Sequence, residues 1–284
     1  MSAVNIFFKE IRIEHTLFAL PFAYVGAILA AHGLPSWHAL FWITMAVLGA
    51  RTTAMAANRY FDRDIDRDNP RTARRALASG KMRSSVMMWA MVVGLALLTL
   101  SAAVLAPLCL RLLPLAVAGV LFYPLCKRFW WGSHFVLGAV DALAPLGGYI
   151  AIANRIDATA LLLFGAVLLW VAGFDIVYAL MDVPFDRAQG LRSIPVRFGN
   201  EAARALPMIL HALMVVALAI AGYLANASWW YFIGVAAAAL VLAFERREFG
   251  RAEDLFALNE RIFVTNMAFS VAFLGTTLAG FSLR

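Results

Sequence analysis

The sequence predicts an all-α membrane protein, built as a single domain over residues 1–284 and folded as a bundle of nine transmembrane helices. The first observation is composition, because 63% of the residues are hydrophobic and only 14% are charged. Soluble globular chains carry about 45–50% apolar and about 25% charged residues. A chain with so few polar side chains is suited to a lipid bilayer. The second observation is that its apolar residues form long segments, and the third is that acidic residues gather at the ends of two of them.

Each predicted span approaches the length of about 20 apolar residues that a helix needs to cross the hydrocarbon of a bilayer. The nine segments are 16–33, 37–60, 85–105, 108–126, 134–153, 159–181, 205–225, 228–244 and 262–282. The third and fourth are divided only by a short turn near Pro107. Pro21, Pro114 and Pro145 lie inside spans and predict kinks, which helices in lipid tolerate.

The net charge of +7 is distributed unevenly along the chain. If the N-terminus is cytoplasmic, Lys and Arg concentrate in the cytoplasmic segments, above all in 62–84, 182–204 and 245–261. This asymmetry follows the positive-inside rule. The basic balance therefore indicates orientation in the inner (cytoplasmic) membrane, with the bilayer as partner, and not a nucleic-acid partner.

Two acidic motifs end the second and sixth spans. Asn58, Asp62 and Asp66 follow one another at intervals of four residues, which places them on one helical face, and Asp182 and Asp186 repeat that interval. Carboxylates gathered in this way repel one another unless a cation lies between them. Mg²⁺ binds one or two carboxylates together with substrate phosphates. These five residues are therefore the predicted metal ligands.

An even number of crossings separates the two motifs, so both are expected at the cytoplasmic face. Together they predict a clamp for a diphosphate. Nearby basic residues are candidate phosphate partners, and they are Arg59, Arg71, Arg74, Arg75, Lys127 and Arg192. Asp64 and Asp68 lie off the acidic face and are interpreted as solvated residues that pair with Arg63 and Arg67. Asp175 shares the face of Asp182 and is a candidate ligand, hydrogen-bonding brace or substrate contact.

These motifs resemble those of the UbiA superfamily of intramembrane prenyltransferases. The family pattern N-x-x-x-D-x-x-x-D matches Asn58, Asp62 and Asp66, and the pattern D-x-x-x-D matches Asp182 and Asp186. A third pattern, Y-x-x-x-K, matches Tyr123 and Lys127. The strings over 58–73 and 174–186 look like the bacterial 4-hydroxybenzoate polyprenyltransferase-like branch. Arg59 departs from the commoner N-D-x-x-D form, although the core positions are kept.

The resemblance implies Mg²⁺-dependent transfer of a polyprenyl group from a polyprenyl diphosphate to the ring of an aromatic acid. The acceptor would be 4-hydroxybenzoate or 1,4-dihydroxy-6-naphthoate, in ubiquinone or menaquinone synthesis. Asp62 and Asp182 would hold the metal, Lys127 would neutralise charge on the leaving diphosphate, and Tyr123 would offer its ring to the allylic cation.

Arg51 is the candidate partner for a carboxylate on the acceptor. It precedes Asn58 by seven residues and so lies on much the same face of the second span. An arginine inside a span needs a partner, and its planar fork fits a carboxylate. An internal ion pair with Asp141 or Asp175 is the alternative.

Other functional classes remain open at this point. A secondary transporter also carries intramembrane acids, but its site usually lies near the bilayer midplane on broken helices, whereas these acids lie at span ends. CDP-alcohol phosphotransferases use membrane aspartates with metal, but their D-G-x-x-A-R signature is absent from this sequence. A UbiA-type enzyme acting on a different acceptor is the third alternative.

Overall fold

A computed structural model of the chain describes residues 3–13, 16–251 and 254–282, and its regular secondary structure in these ranges is entirely helical. The helices are α1 (Ala3–Glu10), α2 (Thr16–Ala31), α3 (Trp37–Phe61), α4 (Arg63–Asp68), α5 (Ser84–Leu105), α6 (Pro107–Cys126), α7 (Ser133–Ala153), α8 (Ala158–Ala179), α9 (Val183–Ala188), α10 (Ile194–Leu224), α11 (Trp229–Arg251) and α12 (Leu255–Ser282). A 3₁₀ turn, Leu180–Asp182, joins α8 to α9. The all-α prediction is confirmed.

Within the described ranges, eight helical segments are long and apolar enough to cross a membrane. The protein is therefore an integral membrane protein. The first predicted span, 16–33, forms α2, which has 16 residues and is shorter than the usual crossing length of about 20 residues. Its side chains Phe18, Phe22 and Val25 nevertheless belong to the main core of the bundle. Nine crossings thus remain a prediction.

Several helices extend beyond their predicted spans. The predicted 205–225 is part of α10, which already begins at Ile194, because the Ser193 side chain accepts a hydrogen bond from the Val196 N–H and caps its first turn. Gly199, with φ of 85°, kinks α10 before the apolar part begins. Likewise, α11 continues to Arg251 and α12 begins at Leu255, beyond the predicted 228–244 and 262–282. Polar residues at these ends do not stop a helix, but an apolar segment marks only the part of the helix that lies in the hydrocarbon.

Close contact between α2 and α7 holds the first helix in the bundle. A Cβ atom at Gly26 would clash with the Pro145 carbonyl oxygen, and one at Gly148 would clash with the Ala23 carbonyl oxygen. The two backbones therefore approach within a distance that only glycine permits, the small-residue packing usual in membrane bundles.

Trp170, in the middle of α8, forms the centre of the core and is fully buried. Its ring stacks on Phe18 at 4.6 Å between centroids and meets Phe269 edge-on at 5.5 Å. The indole N–H donates to Asn266 of α12 at 3.2 Å, so its one polar group is satisfied. This packing surrounds α8 with α2, α10 and α12 and carries the C-terminal end of α8 to the same end of the bundle as the C-terminal ends of α3 and α6.

Candidate active site

A polar cavity of about 160 Å³ lies where α3, α6 and α8 end and α7 begins. Both acidic motifs and the Y-x-x-x-K match line it. The predicted site residues that it brings together are Asn58, Asp62, Asp66, Arg71, Arg75, Tyr123, Lys127, Asp175, Asp182, Asp186 and Arg192. The prediction that the two motifs meet at one end of the bundle is therefore confirmed. Which side of the membrane this end faces stays a prediction.

Asp62 is the residue on which α3 ends, and only 3% of its surface is exposed. Its Oδ2 accepts a hydrogen bond from the Asn58 Nδ2 at 3.2 Å and lies 3.1 Å from the Lys127 Nζ. Its Oδ1 accepts no hydrogen bond, although an Arg128 guanidinium nitrogen lies 3.5 Å away. Lys127 of the third motif therefore pairs with Asp62 of the first motif. Arg128 is a further cation at this carboxylate, and the sequence did not single it out.

Asp66 and Asp182 are each held by an arginine of the connection that follows α4. The Arg75 guanidinium donates to Asp66 at 2.6 Å. Arg71 donates from Nε to Asp182 at 2.9 Å and from a second nitrogen to the other carboxylate oxygen, a two-pronged pair. Asn69 donates to the same Asp182 oxygen at 3.1 Å. The segment after the first motif therefore folds across the cavity onto the second motif.

Arg71 contacts Tyr178 as well as Asp182. Its guanidinium also donates to the Tyr178 hydroxyl at 3.1 Å and lies over the Tyr178 ring. Burial acts against the charged form, but the hydrogen bonds with Asp182 outweigh it and raise the pKa of Arg71 above its usual value. Arg71 is therefore a permanent cation at the centre of the site.

His134 was missed as a site residue by reasoning from the sequence. Its Nδ1 lies 2.7 Å from an Asp175 oxygen, and its Nε2 accepts a hydrogen bond from the Ile194 N–H at 3.3 Å. Because Nε2 accepts, Nδ1 carries the proton and donates it to Asp175. Of the three roles open to Asp175, the structure supports the brace, which links α7 and α8 at the cavity wall. The only hint in the sequence was its place at the start of a span, and a single histidine there has no spacing pattern to mark it.

The connection between α6 and α7 is hydrogen-bonded to the connection between α9 and α10, which follows the second motif. The Arg192 N–H donates to the Lys127 carbonyl oxygen at 2.8 Å, and the Arg192 side chain donates to the Phe129 carbonyl oxygen at 2.6 Å. These bonds fix the backbone that carries Lys127. Arg192 lines the cavity, but its guanidinium is also used to position that connection.

Two of the predicted phosphate partners lie outside the cavity. Arg59 is buried and turns towards the N-terminal helix, where its Nε donates to the Glu10 carbonyl oxygen at 3.2 Å. It reaches the motif only through the Asn58 Oδ1 at 2.9 Å. Arg74 is exposed and does not line the cavity. Arg59 is turned away from the cavity by its bond to α1, and the turns after α4 bring Arg71 and Arg75, not Arg74, to the cavity lining.

Outside the cavity, the interpretation of Asp64 as a solvated residue is confirmed. Its carboxylate lies 3.1 Å from Arg63 and 3.6 Å from Arg67, and 70% of the side chain is exposed. Hydrogen bonding with Arg63 keeps the pKa of Asp64 below its usual value.

A second cavity of about 540 Å³ continues the site into the bundle along α3, α6 and α7. Its lining is almost wholly apolar, with Arg51 and Asp141 as charged exceptions. Arg51 donates to Asp141 at 2.9 Å, so the internal ion pair left open by the sequence is present. The Arg51 Nε is buried and has no hydrogen-bond partner. The guanidinium therefore keeps a donor available for another group.

The carboxylates of the cavity are hard oxygen donors of the kind that Mg²⁺ accepts. In the part of the chain that the structure describes, no three or more His, Cys, Asp and Glu side chains converge as a metal site. Mg²⁺ usually takes only one or two carboxylates and completes its shell with water and phosphate. The buried Asp62 Oδ1, which lacks a hydrogen bond, is the kind of hard oxygen that such an ion accepts.

The family model for the UbiA prenyltransferase family matches residues 19–267 of this chain. A 4-hydroxybenzoate octaprenyltransferase from Marinobacter nauticus is 33% identical over 244 residues, which cover 84% of this chain and 82% of the relative. One from Pseudomonas entomophila is 32% identical over 228 residues, 78% of this chain and 74% of the relative.

Solved structures agree with this relationship. The apo structure of a UbiA homolog from Aeropyrum pernix K1 has a TM-score of 0.81 and 35% identity, covering 91% of this chain and 98% of its own. A UbiA homolog from Archaeoglobus fulgidus, bound to DMAPP and Mg²⁺, has a TM-score of 0.73 at 19% identity over 98% of this chain and 99% of its own. The second likeness speaks for the fold alone. With the motifs gathered in one cavity and the family model matching most of its length, this chain belongs to the UbiA prenyltransferase family and is a prenyltransferase.

Proposed function

We propose that the protein transfers a polyprenyl group from a polyprenyl diphosphate to a ring carbon of 4-hydroxybenzoate, for ubiquinone synthesis. The observation that carries this proposal is the succession of two unlike cavities along α3, α6 and α7. A basic and acidic cavity lies at the bundle end, and a large apolar cavity follows it along the same three helices. A polyprenyl diphosphate has the same two parts. The names of the curated relatives support 4-hydroxybenzoate as the acceptor.

In this proposal the diphosphate lies among Arg71, Arg75 and Lys127, and Asn58, Asp62, Asp66, Asp182 and Asp186 hold Mg²⁺. The metal, when bound, supplies positive charge to the leaving diphosphate. The bond between the allylic carbon and the diphosphate oxygen breaks, and diphosphate leaves with the bonding electrons. A ring carbon of the acceptor then forms the new C–C bond with a pair of ring electrons, and the ring gives up one proton, which the released diphosphate takes up. The apolar walls exclude water from the allylic cation.

The acceptor lies in the inner cavity, where its carboxylate meets Arg51. The unpaired Arg51 Nε supports this position, since a buried guanidinium donor without a partner is unfavourable. Asp141 orients the guanidinium from the other side. Tyr123 lines the polar cavity one helical turn after Val120, which lines the apolar cavity, and in this proposal its ring faces the allylic carbon.

The test is a product screen with the purified full chain in lipid nanodiscs. Octaprenyl diphosphate is offered with 4-hydroxybenzoate, 1,4-dihydroxy-6-naphthoate or homogentisate, and products are identified by mass spectrometry. We expect a prenylated 4-hydroxybenzoate that forms with Mg²⁺, stops with EDTA and returns when Mg²⁺ is restored. A prenylated naphthoate alone would instead place the enzyme in menaquinone synthesis. Equal turnover in EDTA would remove the metal from the proposal.

A further inference from the structure

A third cavity, unrelated to the motifs, lies on the other face of α8. It has a volume of about 380 Å³ and is lined by residues of α8, α10, α11 and α12. Phe174 and Val177 line it from α8, while their neighbours Asp175 and Tyr178 line the catalytic cavity. The two cavities are therefore separated by the thickness of one helix, and nothing in the transfer reaction uses this one.

The lining combines an apolar body with a few charged groups. Glu245 and Arg246, in the C-terminal part of α11, and Arg204, in the N-terminal part of α10, all line it. These parts of α10 and α11 lie at the same end of the bundle as the acidic motifs. Arg204 stays extended because its guanidinium lies over the Phe249 ring, 4.9 Å from the centroid. Charged side chains at the end of a bundle with apolar walls behind them match the depth of lipid headgroups.

Glu245 is the unusual member of this lining. Only 5% of its surface is exposed, and its Oε1 is buried without a hydrogen-bond partner. Among the described residues, none donates to this Oε1, although Arg204 and Arg246 line the same cavity. A buried carboxyl without a partner is costly. A ligand that offers it a hydrogen-bond donor would remove that cost.

We propose that this cavity binds a glycerophospholipid with a primary ammonium headgroup, of the phosphatidylethanolamine type. The ammonium donates to Glu245, the phosphate lies between Arg204 and Arg246, and an acyl chain occupies the apolar body beside Phe174 and Leu242. Two cations and one buried carboxyl in one cavity match a zwitterion. A headgroup with negative charge alone would satisfy the arginines and leave Glu245 without a donor cation.

The test uses native mass spectrometry on the full-length protein released from detergent micelles. The micelles contain equal amounts of dioleoyl phosphatidylethanolamine, phosphatidylcholine and phosphatidylglycerol. We expect one phosphatidylethanolamine to be retained per chain, in preference to phosphatidylcholine, because the choline head has the same charge but no N–H donor. Glu245→Ala should reduce retention about tenfold or more, the usual effect of removing a hydrogen bond to a charged group.

Controls separate a built site from general lipid attraction. Arg204→Gln with Arg246→Gln should also reduce retention, whereas Arg247→Gln should not, since Arg247 is an equally exposed neighbour outside the cavity. Ala212→Trp should block the cavity without removing a charge. Thermal unfolding of each variant confirms that it is folded. Equal retention of phosphatidylcholine, preference for phosphatidylglycerol, or an equal loss in Arg247→Gln would overturn the proposal.

Discussion

Lys127 is the cation with the clearest catalytic prediction at the scale of single residues. Its Nζ lies 3.1 Å from Asp62 and faces the cavity, so it stands where charge develops on the leaving diphosphate. Because this charge is greatest in the transition state, we expect Lys127→Ala to lower kcat by about 10²-fold or more, with a smaller change in donor KM. Steady-state kinetics with octaprenyl diphosphate measures both constants.

Lys81→Ala is the matched control for that variant, since Lys81 is exposed and lies outside the cavity. Lys127→Arg keeps the charge and should recover part of the rate. Tyr123→Phe should have a smaller effect than Lys127→Ala if the ring is what matters. An unchanged kcat in Lys127→Ala would mean that the connection after α6 serves only to join two helices.

The pair between Arg51 and Asp141 requires a double substitution, since removing one partner alone leaves a buried charge and destabilises the fold by about 3–5 kcal/mol. In Arg51→Leu with Asp141→Leu both charges are gone, and we expect the protein to remain folded. Its KM for the aromatic acid should rise much more than its KM for the prenyl diphosphate. Equal changes in the two constants would show that the pair has only a structural role.

The short helix α1 sets the position of the arginine-bearing connection at the scale of elements. Glu10 is buried at its end and accepts from the Ala76 N–H at 2.8 Å and the Leu77 N–H at 3.3 Å. Arg59 reaches the same turn of α1 from α3. The connection that carries Arg71 and Arg75 is therefore held by α1 as well as by the two acidic motifs.

Glu10→Ala should loosen this connection, because it leaves two buried backbone donors unpaired at about 1–3 kcal/mol each. Hydrogen exchange over residues 69–83 should become faster, and donor KM should rise more than acceptor KM. Glu201→Ala, which removes an exposed acid of α10, is the control. Unchanged exchange in Glu10→Ala would mean that the connection is held by Asp66 and Asp182 alone.

Neighbouring glycines of α7 offer a matched pair for the contact between α2 and α7. A Cβ at Gly148 would meet the Ala23 backbone, while a Cβ at Gly147 would meet nothing within 4 Å. We expect Gly148→Ala to lower the thermal midpoint markedly, because backbone on both sides must shift. Gly147→Ala should leave it unchanged or raise it slightly, since alanine is favoured over glycine within a helix by about 0.5–1 kcal/mol. Equal midpoints would contradict the close-packed interface.

The whole molecule has two unlike ends, and we propose that the end with the acidic motifs faces the cytoplasm. Arg74 is exposed at this end, and Arg155, between α7 and α8, is exposed at the other. In a Cys109→Ala, Cys126→Ala background, Arg74→Cys should react with an impermeant maleimide in inverted membrane vesicles, and Arg155→Cys in right-side-out vesicles. The reverse pattern would invert the orientation derived from the positive-inside rule.

Much of the site was predictable, because the helical repeat places residues on one face and the number of membrane crossings decides at which end of the bundle a segment lies. The interval of four residues places Asn58, Asp62 and Asp66 on one face, and an even number of crossings brings Asp182 to the same end. The sequence could not show that Arg59 turns towards α1 or that Arg74 stays outside the cavity, because the direction of each side chain is set by tertiary contacts and by the turns after α4. His134 was missed because a single histidine carries no spacing signal.

The sequence by itself determined the membrane environment, the helical fold and the residues of the acidic motifs, since apolar length and helical period are local properties of the chain. Only the tertiary structure decided which partners those residues take. Arg71 pairs with Asp182, Lys127 with Asp62 and Arg51 with Asp141, each across helices distant in sequence. It also decided that Glu245 has no hydrogen-bond partner for its Oε1, beside a cavity formed by four helices. Such pairings depend on how helices pack against one another, which no local pattern encodes.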